Sequence, residues 1–547
     1  MKKNPKQFVE LQEEYYNNMK EKNLSEKLCH YTWDILISMN KGYGFNTAHT
    51  LGYSIVGLQE ANLAYHYPIV YWNCANLISD SGGEDSTVRY GKIAAAIGKM
   101  RKEGIKVVLP DINRTRFGFR PDAKNNEIIY GLKAISGIGA SIANAIVDNQ
   151  SYTSFQDFYD KMQIYKNRMK EQGEIIEVDN LAEDEDIDED SNKKKVIFGD
   201  TSVIALIKAG CFDELEGKPR EDIMADFIRS ISKPIKKLDI SHIEDFNKLG
   251  LLTPAQQKYE LRLYRYRNYV FQKKNLARQG GKSASTAFYK LDHKFAEPYF
   301  YEHFESEMTE GKDYEYTEDG YIAVKRGSFD RVFDKLMSDF KKNYLTNEEF
   351  LGIINEQRFR SIWDERASGS ISKWEMESLN YYYHEHELAH VNRKKYQIAN
   401  FDELPEEPEI ADVYFYRGQE KPRFKLVRIC GTVIDKDKNH NTITLLTPDG
   451  VVVVKLYKGQ FGFYDREISQ VDENGIKHKI EKSWFKRGTK LMVTGFRRGE
   501  QFIPRKYKDS IYRHTIQLIK DISDDGTLSL QSERQGLNME GEDAVAI

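Results

Sequence analysis

The chain has 547 residues, of which 40% are hydrophobic and 30% charged, and its formal net charge is −4. No run of about 18 uncharged apolar residues occurs, which excludes a membrane-spanning helix, and no apolar stretch follows the basic N-terminus, so we expect a cytoplasmic protein with no membrane partner. The four cysteines lie far apart and form no C-x-x-C pair, which favours reduced core thiols over a zinc ribbon or a disulfide framework.

Helical spacing of apolar residues dominates the first part of the chain, over residues 1–105, with breaks at glycines and at Pro68. A brief strand is predicted at 107–109, where Pro110 ends it. Residues 126–215 predict a glycine hairpin between short helices, a longer helix, an acidic loop over 170–195 and a further short helix. Residues 220–400 are rich in helical pattern, and their role is not evident from the sequence.

The pattern changes to β over residues 424–520. Short β-rich runs separated by turn signals occur at 429–434, 442–446, 451–456, 490–495 and 515–518. Five short strands in about 100 residues predict a small barrel such as an OB-fold. The predicted protein is therefore multidomain, with mostly α-helical N-terminal and middle regions that include a helix-hairpin-helix, followed by a small all-β OB-fold barrel and a polar tail.

The charge is distributed unevenly. Residues 183–190 contain seven acidic residues out of eight, whereas residues 421–520 contain 22 Lys and Arg against 10 Asp and Glu. One strongly basic module in a near-neutral chain indicates a surface that meets a polyanion, although a solvated basic face without a partner is the alternative.

The most informative motif lies at residues 131–148, where isoleucines flank a Gly-Ile-Gly turn. Glycines allow a tight turn and close backbone approach, and the helix that follows offers free N–H groups and a favourable dipole to an anion. A DNA phosphate suits this position without any base contact, whereas the alternative is an ordinary turn between helices. The candidate DNA-binding residues here are Lys133, Gly137, Ile138, Gly139 and Ser141.

The basic barrel segment interleaves cations with aromatic residues. OB-folds bind single strands by pairing a basic groove with stacking platforms, and the alternative for each residue is a plain surface charge. The candidate DNA-binding residues are Arg428, Lys455, Tyr457, Lys458, Arg497, Arg498, Arg505 and Lys506.

Two other patterns carry metal-binding residue types. His386 to His390 matches H-E-x-x-H, which on a helix would indicate a zinc protease, but no third ligand follows. Asp186, Asp188 and Asp190 alternate as palm carboxylates would, yet no apolar strand holds them, so we interpret them as loop charge, like Asp435 and Asp437. We predict no metal site in this chain.

Several motifs in order resemble the C-terminal half of the family C replicative polymerases, the bacterial DNA polymerase III alpha subunits. The segments that carry the resemblance are Gly42-Tyr43-Gly44-Phe45-Asn46 with His49 and Tyr53, Tyr65-His66-Tyr67-Pro68, 104–113, 130–132 leading into the hairpin, 206–213 and, loosely, 379–388. The resemblance implies a fingers region with Asn46, His49 and Tyr53 on the nucleotide side, a duplex-binding hairpin and an OB-fold.

The chain also departs from that family. Thr47 and Ala48 replace the family's Lys and Ser, which removes a cation on the nucleotide side. The palm motif P-D-x-D-x-D-F is absent, and phosphoryl transfer needs such carboxylates to hold two metal ions. We therefore predict no catalytic residue in this chain and no activity alone, with Mg²⁺ bound by a separate palm-containing chain.

The resemblance divides the chain into a fingers-like domain (1–120), a duplex-binding domain with the acidic loop (121–220), a helical variable region (221–410), an OB-fold (411–522) and a tail (523–547). The first hypothesis is one part of a split polymerase, as in some phage genomes, although a fragment would look the same. Its partners would be double- and single-stranded DNA and a palm-containing chain; a sliding clamp is a further candidate, but no clamp-binding peptide is evident. The alternatives are a non-catalytic DNA-binding accessory protein and, more distantly, a zinc protease.

Overall fold

The computed structural model describes residues 5–37, 47–83, 87–171, 198–271, 287–416, 418–471, 477–507 and 514–534. The fingers motif at 42–46, the acidic run with Asp186, Asp188 and Asp190, and the end of the predicted tail lie outside the described residues. Among the residues that are described, no helix is long and apolar enough to cross a bilayer.

The N-terminal region is helical, as the apolar spacing predicted. Its helices are α1 (Pro5–Glu21), α2 (Glu26–His30), α3 (Thr47–His66), α4 (Ile69–Ser81) and α5 (Tyr90–Lys102), with a π-helical segment at Tyr31–Ile37. Helices α4 and α5 pack into the main hydrophobic core through Val70, Leu77, Ile93 and Ile97, which are all buried. They therefore form one body with the segment that follows.

That following segment contains the predicted hairpin. A small sheet in the order β1-β3-β2 precedes it, and β1 and β3 are parallel. The elements are β1 (Lys106–Val108), β2 (Arg120–Asp122), β3 (Glu127–Ile129), a 3₁₀ turn (Leu132–Ala134), α6 (Ala140–Asp148), α7 (Phe155–Glu171), α8 (Asp200–Lys208), α9 (Asp213–Glu216) and α10 (Arg220–Ile231). The strand predicted at 107–109 is confirmed, while the first helix of the hairpin is only a 3₁₀ turn.

The middle region has a second hydrophobic core, in which Phe246, Tyr266, Phe300 and Phe329 are buried. Its elements are α11 (Ile243–Lys248), α12 (Pro254–Lys258), α13 (Glu260–Val270), β4 (Phe288–Lys290), α14 (Ala296–His303), β5 (Tyr314–Tyr316), β6 (Ile322–Lys325), α15 (Arg326–Leu336), α16 (Ser338–Tyr344) and α17 (Glu348–Arg366). The sheet β4-β6-β5 was missed by the purely helical prediction, because three- and four-residue strands are too short to show a period of two.

The chain then returns to the first core through α18 (Ile371–Leu379), where Trp374 and Leu379 are buried among residues of the hairpin region. Residues 380–391 form bends, irregular segments and a turn at 387–390, and α19 (Arg393–Tyr396) follows. The H-E-x-x-H residues 386–390 therefore do not lie on a helix, so the two histidines do not share a helical face as a zinc-protease site requires.

The β region contains the predicted barrel. Its elements are β7 (Ile410–Tyr416), β8 (Gln419–Phe424), β9 (Val427–Asp437), β10 (Thr442–Leu446), β11 (Val451–Lys455), α20 (Lys458–Asp465), β12 (Ile468–Val471), β13 (Lys477–Glu481), β14 (Lys490–Arg498), β15 (Gln501–Pro504), β16 (Ile516–Ile522) and β17 (Leu528–Gln531). Strand pairing runs β9-β10-β11-β15-β14 and returns to β9, with β11 and β15 parallel. This closed five-stranded barrel, with α20 after its third strand, confirms the OB-fold.

Two details of the barrel differ from the prediction. Its fifth strand is β15, which the sequence analysis missed, whereas the run at 515–518 belongs to β16 and extends the sheet beyond the barrel. The first part of the predicted polar tail is also ordered, since β17 pairs with β16 and Arg534 is buried. Strands β7 and β8 form a separate two-stranded hairpin before the barrel.

Candidate nucleic-acid interface

The turn between the 3₁₀ segment and α6 has the geometry that its glycines predict. Gly137 has φ +84°, a left-handed conformation that favours glycine, and the N–H of Ile138 donates to the carbonyl of Ile135 at 3.1 Å. The side chains of Ile135 and Ile138 are buried, whereas Gly137 is exposed at the tip. The turn therefore presents backbone, not side chains, to the solvent.

Helix α6 begins at this turn with Gly139 as its N-cap residue, and no side chain caps the N-terminus of this described helix. The N-terminal N–H groups are thus available to an anion, and the helix dipole favours one there. Ser141 in the first turn and Lys133 on the 3₁₀ segment are both half-buried. This arrangement suits a phosphate, which a protein can bind without reading a base.

The hairpin is held by a close crossing of two backbone segments. A Cβ on Gly131 would lie 2.5 Å from the carbonyl carbon of Gly118, so a side chain at Gly131 would clash with backbone. The N–H groups of Leu132 and Lys133 donate to the carbonyls of Arg116 and Phe117 at 3.1 and 2.9 Å. The 3₁₀ segment is therefore fixed against the loop that precedes β2.

The far end of α6 is fixed by residues whose role the sequence analysis did not assign. The Asn113 Oδ1 accepts from the N–H of Tyr152 at 2.8 Å, and its Nδ2 donates to the Tyr152 carbonyl at 2.9 Å. Asp111 Oδ1 accepts from the N–H groups of Asn113 and Arg114 and closes the turn. An Asp two residues before an Asn, directly after Pro110, is a signal for such a turn.

The predicted nucleotide-side residues are placed on α3 where they are described. The rings of His49 and Tyr53 have centroids 4.6 Å apart, and both residues are exposed. Asn46 lies outside the described residues. The role of these residues stays a prediction.

The predicted barrel residues divide into two groups. Arg497 donates to the carbonyls of Phe401 and Leu404 at 3.3 and 2.9 Å and stacks on the Phe401 ring at 4.7 Å. Arg428 donates to the Tyr396 carbonyl at 3.2 Å. These contacts give both arginines a role in holding the barrel to the segment before it, so the geometry does not support them as DNA contacts.

The other predicted barrel residues lie nearer the solvent. Tyr457, Lys458 and Arg498 are exposed, and the half-buried residues are Lys455, Arg505 and Lys506. The Lys455 ammonium donates to the His440 carbonyl. Asp437 caps the same turn through the N–H groups of Asn439 and His440, which agrees with its interpretation as loop charge.

The H-E-x-x-H histidine His386 is part of the packing, which corrects the zinc-protease alternative. Its Nε2 donates to the Leu446 carbonyl and its Nδ1 accepts from the Leu388 N–H, both at 2.9 Å, so both ring nitrogens are used. Burial lowers the pKa of His386 to about 4 and keeps the ring neutral. Within the described ranges, no group of three or more potential metal ligands occurs.

The cysteines are buried and free, as the spacing predicted. Burial raises the pKa of the Cys74 thiol to about 11 and that of the Cys430 thiol to about 12. A thiol with so high a pKa is a poor nucleophile and a poor metal ligand at neutral pH.

Comparison with known proteins supports a nucleic-acid interface. Residues 104–183 match the family described as a helix-hairpin-helix motif. The chain is 38% identical over 545 residues to the probable DNA polymerase YorL of Bacillus subtilis strain 168 and, equally, to the DNA-directed DNA polymerase of Bacillus phage SPbeta. These alignments cover 97% of this chain but only 38% of each relative.

A shorter alignment connects the chain with a DNA polymerase III subunit. Over 139 residues it is 31% identical to the DNA polymerase III subunit alpha of Bacillus subtilis, which is 25% of this chain and 12% of that subunit. The resemblance that the motifs indicated is thus confirmed. The chain is similar to DNA polymerases over nearly its whole length and to the DNA polymerase III alpha subunit over a quarter of it, and it spans about two fifths of the length of the first two relatives.

Proposed function

We propose that this chain is the DNA-binding portion of a family C replicative polymerase and acts in template-directed DNA synthesis together with a palm-containing polypeptide. The proposal is carried by a combination of features in a chain that is similar to DNA polymerases. The chain contains a helix-hairpin-helix and an OB-fold, and its sequence lacks the palm aspartate motif. The hairpin would hold the duplex by its phosphates, and the barrel would hold single-stranded template.

Helix α3 supports the need for a further polypeptide. It is 20 residues long, and none of its described residues is buried. Leu58 is 72% exposed and Tyr65 is 84% exposed, and apolar residues occupy every side of the helix. A helix that is apolar all round is normally buried, so α3 is expected to be covered when the polymerase is assembled.

The proposal assigns different roles to this chain and to the palm-containing polypeptide. Carboxylates and Mg²⁺ on the palm would perform phosphoryl transfer. His49 and Tyr53 on α3, with Asn46 before it, would face the nucleotide, while the hairpin would fix the primer–template behind the reaction site.

Primer extension tests this proposal. The chain is mixed with palm-containing polypeptides of the same genome, and extension of a primed template is measured with Mg²⁺, with each polypeptide alone as the control. Extension only in the mixture is the expected result. If DNA binds but no palm-containing polypeptide gives extension, the protein is a non-catalytic accessory factor instead.

A further inference from the structure

The hairpin β7–β8 places one arginine and two aromatic rings, which the sequence analysis did not single out, beside the predicted DNA-binding residues Arg498 and Arg505. Arg423 of β8 lies over the Tyr414 ring at 5.2 Å and over the Tyr507 ring at 5.6 Å. Arg505 lies over the same Tyr507 ring at 5.8 Å. One tyrosine therefore lies against two guanidinium groups contributed by segments more than 80 residues apart in sequence.

The same surface continues to the end of β14. Arg498 lies over the rings of Phe424 and Phe496 at 5.5 and 5.4 Å, and these two rings have centroids 4.7 Å apart. The Tyr507 hydroxyl accepts from the Phe424 N–H at 3.0 Å, which joins the two parts. We call the six residues that reach the surface the arginine–aromatic cluster; they are Tyr414, Arg423, Phe424, Arg498, Arg505 and Tyr507.

Two arginines of the cluster, Arg498 and Arg505, carry positive charge that no described carboxylate neutralises. In the described part of the chain, Arg498 and Arg505 form no ion pair with a carboxylate. Arg498 is exposed, and Tyr414, Arg505 and Tyr507 are partly exposed, so each is accessible to a ligand. The cations and rings alternate, which is the composition that binds a phosphate backbone and unpaired bases together.

The neighbouring surface of the barrel is less accessible. The segment containing Phe401 and Leu404 lies against Arg497, and the N–H of Gly499 in the β14–β15 turn donates to the Glu406 carbonyl at 2.7 Å. This segment of the chain therefore occupies the barrel surface beside the β14–β15 turn.

The geometry points to the arginine–aromatic cluster, between the β7–β8 hairpin and the end of β14, as the contact for single-stranded DNA. This inference rests on the proposed function and adds to it a site that extends from the end of β14 to the β7–β8 hairpin. Unpaired bases stack on the aromatic rings, and the arginines contact the phosphates between them. Duplex DNA has no exposed base faces, so the cluster selects single strands without reading sequence.

The two faces of the hairpin give an internal control. Tyr414 and Arg423 lie on one face, because Tyr414 pairs with Lys421 and Asp412 pairs with Arg423 in the register. Phe415 lies on the opposite face, where it is 76% exposed. Of the hairpin residues, the inference assigns binding to Tyr414 and Arg423 on the first face and to Phe424 at the end of β8, and it assigns none to Phe415.

Fluorescence anisotropy of the full chain with a labelled dT oligomer of about 15 nucleotides tests the inference. Arg498→Gln combined with Arg505→Gln is expected to lower the slope of log affinity against log salt by roughly 1.4, because each lost phosphate contact contributes about 0.7. Lys236→Gln combined with Lys237→Gln removes the same charge from exposed residues elsewhere and is expected to leave the slope unchanged.

Stacking is tested separately. Tyr414→Ala is expected to weaken binding of the dT oligomer about tenfold, whereas Phe415→Ala leaves it unchanged. Equal losses for these two variants, or wild-type slopes in the double arginine variant, would overturn the inference.

Duplex binding separates this inference from the proposed function. All four variants are expected to bind duplex DNA like the wild-type chain. If the wild-type chain binds neither single-stranded nor duplex DNA, the proposed function and the further inference are both contradicted. If it binds both forms of DNA and the cluster variants bind as the wild-type chain does, only the inference about the cluster is contradicted.

Discussion

The N–H of Ser136, beside the tip of the hairpin, donates to the carbonyl of Ser378 at the end of α18 at 2.7 Å. The neighbouring residue of α18, Leu379, accepts from the buried Tyr130 hydroxyl, also at 2.7 Å. Just beyond α18, the Tyr382 hydroxyl lies 2.9 Å from Thr432 Oγ1 in β9 of the barrel. One short segment therefore contacts both the helix-hairpin-helix and the barrel and fixes the position of one relative to the other.

Substitution at the hairpin tip is expected to affect both stability and duplex binding. Gly137→Ala places a side chain at φ +84°, where its Cβ meets only Ala205 Cβ at 3.8 Å, so the cost is backbone strain of about 1–2 kcal/mol. A lower melting temperature and weaker duplex affinity should follow, as measured by calorimetry and anisotropy.

Gly98→Ala is the matched control for that variant. Gly98 lies inside α5, and its added Cβ would meet nothing within 4 Å. Because alanine favours a helix over glycine, this variant should gain roughly 0.5–1 kcal/mol and bind duplex as before. Stabilisation by Gly137→Ala would contradict the left-handed turn.

Lys133 is expected to contact a duplex phosphate. Lys133→Gln should reduce the slope of log duplex affinity against log salt by about 0.9, because one phosphate contact is lost and the counterions that this contact displaces from the DNA are no longer released. The exposed Lys92 on α5 supplies a control substitution, Lys92→Gln, that removes the same charge. An unchanged slope for Lys133→Gln would exclude this contact.

The apolar surface of α3 is expected to bind the palm-containing polypeptide. Leu58→Ser removes a side chain that is 72% exposed in this chain, so its own melting temperature and DNA affinity should not change. Burial of a leucine contributes about 1.5–3 kcal/mol, so association should weaken roughly ten- to hundredfold.

Association can be measured by interferometry and by primer extension. Gln59→Ala, which removes a polar side chain from the same helix, is the control and should associate like the wild-type chain. Normal association of the Leu58→Ser variant would show that this part of α3 is not covered by the partner.

The buried ring of His386 predicts acid sensitivity of the contact between the turn segment and the barrel. The unfolded chain binds a proton on this histidine below about pH 6.5, whereas the folded chain does so only near its lowered pKa of about 4. The unfolded state therefore binds more protons between these values, and the free energy of unfolding should fall by up to about 3 kcal/mol as the pH drops from 6.5 to 4.

Thermal unfolding at pH 7.5, 5.5 and 4.5 measures this loss. His386→Gln keeps a donor and an acceptor but does not titrate, so it should be less stable at pH 7.5 and lose less on acidification. A variant with the same pH dependence as the wild-type chain would assign the acid sensitivity to other groups.

The sequence by itself determined the local features. The Gly-Ile-Gly turn needs glycine at φ +84°, and short runs of β-branched and apolar residues bounded by turn residues specify the strands β9, β10, β11 and β14, because both signals arise from neighbours along the chain. The resemblance to family C polymerases rested on the same short motifs. These features placed the hairpin and the OB-fold correctly.

Only the tertiary structure decided which charged residues are held by contacts within the protein and which remain exposed. Arg497 and Arg498 are adjacent in sequence, yet one donates to the carbonyls of Phe401 and Leu404 while the other lies exposed over Phe424. Arg423 meets Tyr507, and His386 meets Leu446, through contacts across 60 or more residues. Such pairings depend on how separate elements pack, which the spacing of residues within one element does not encode.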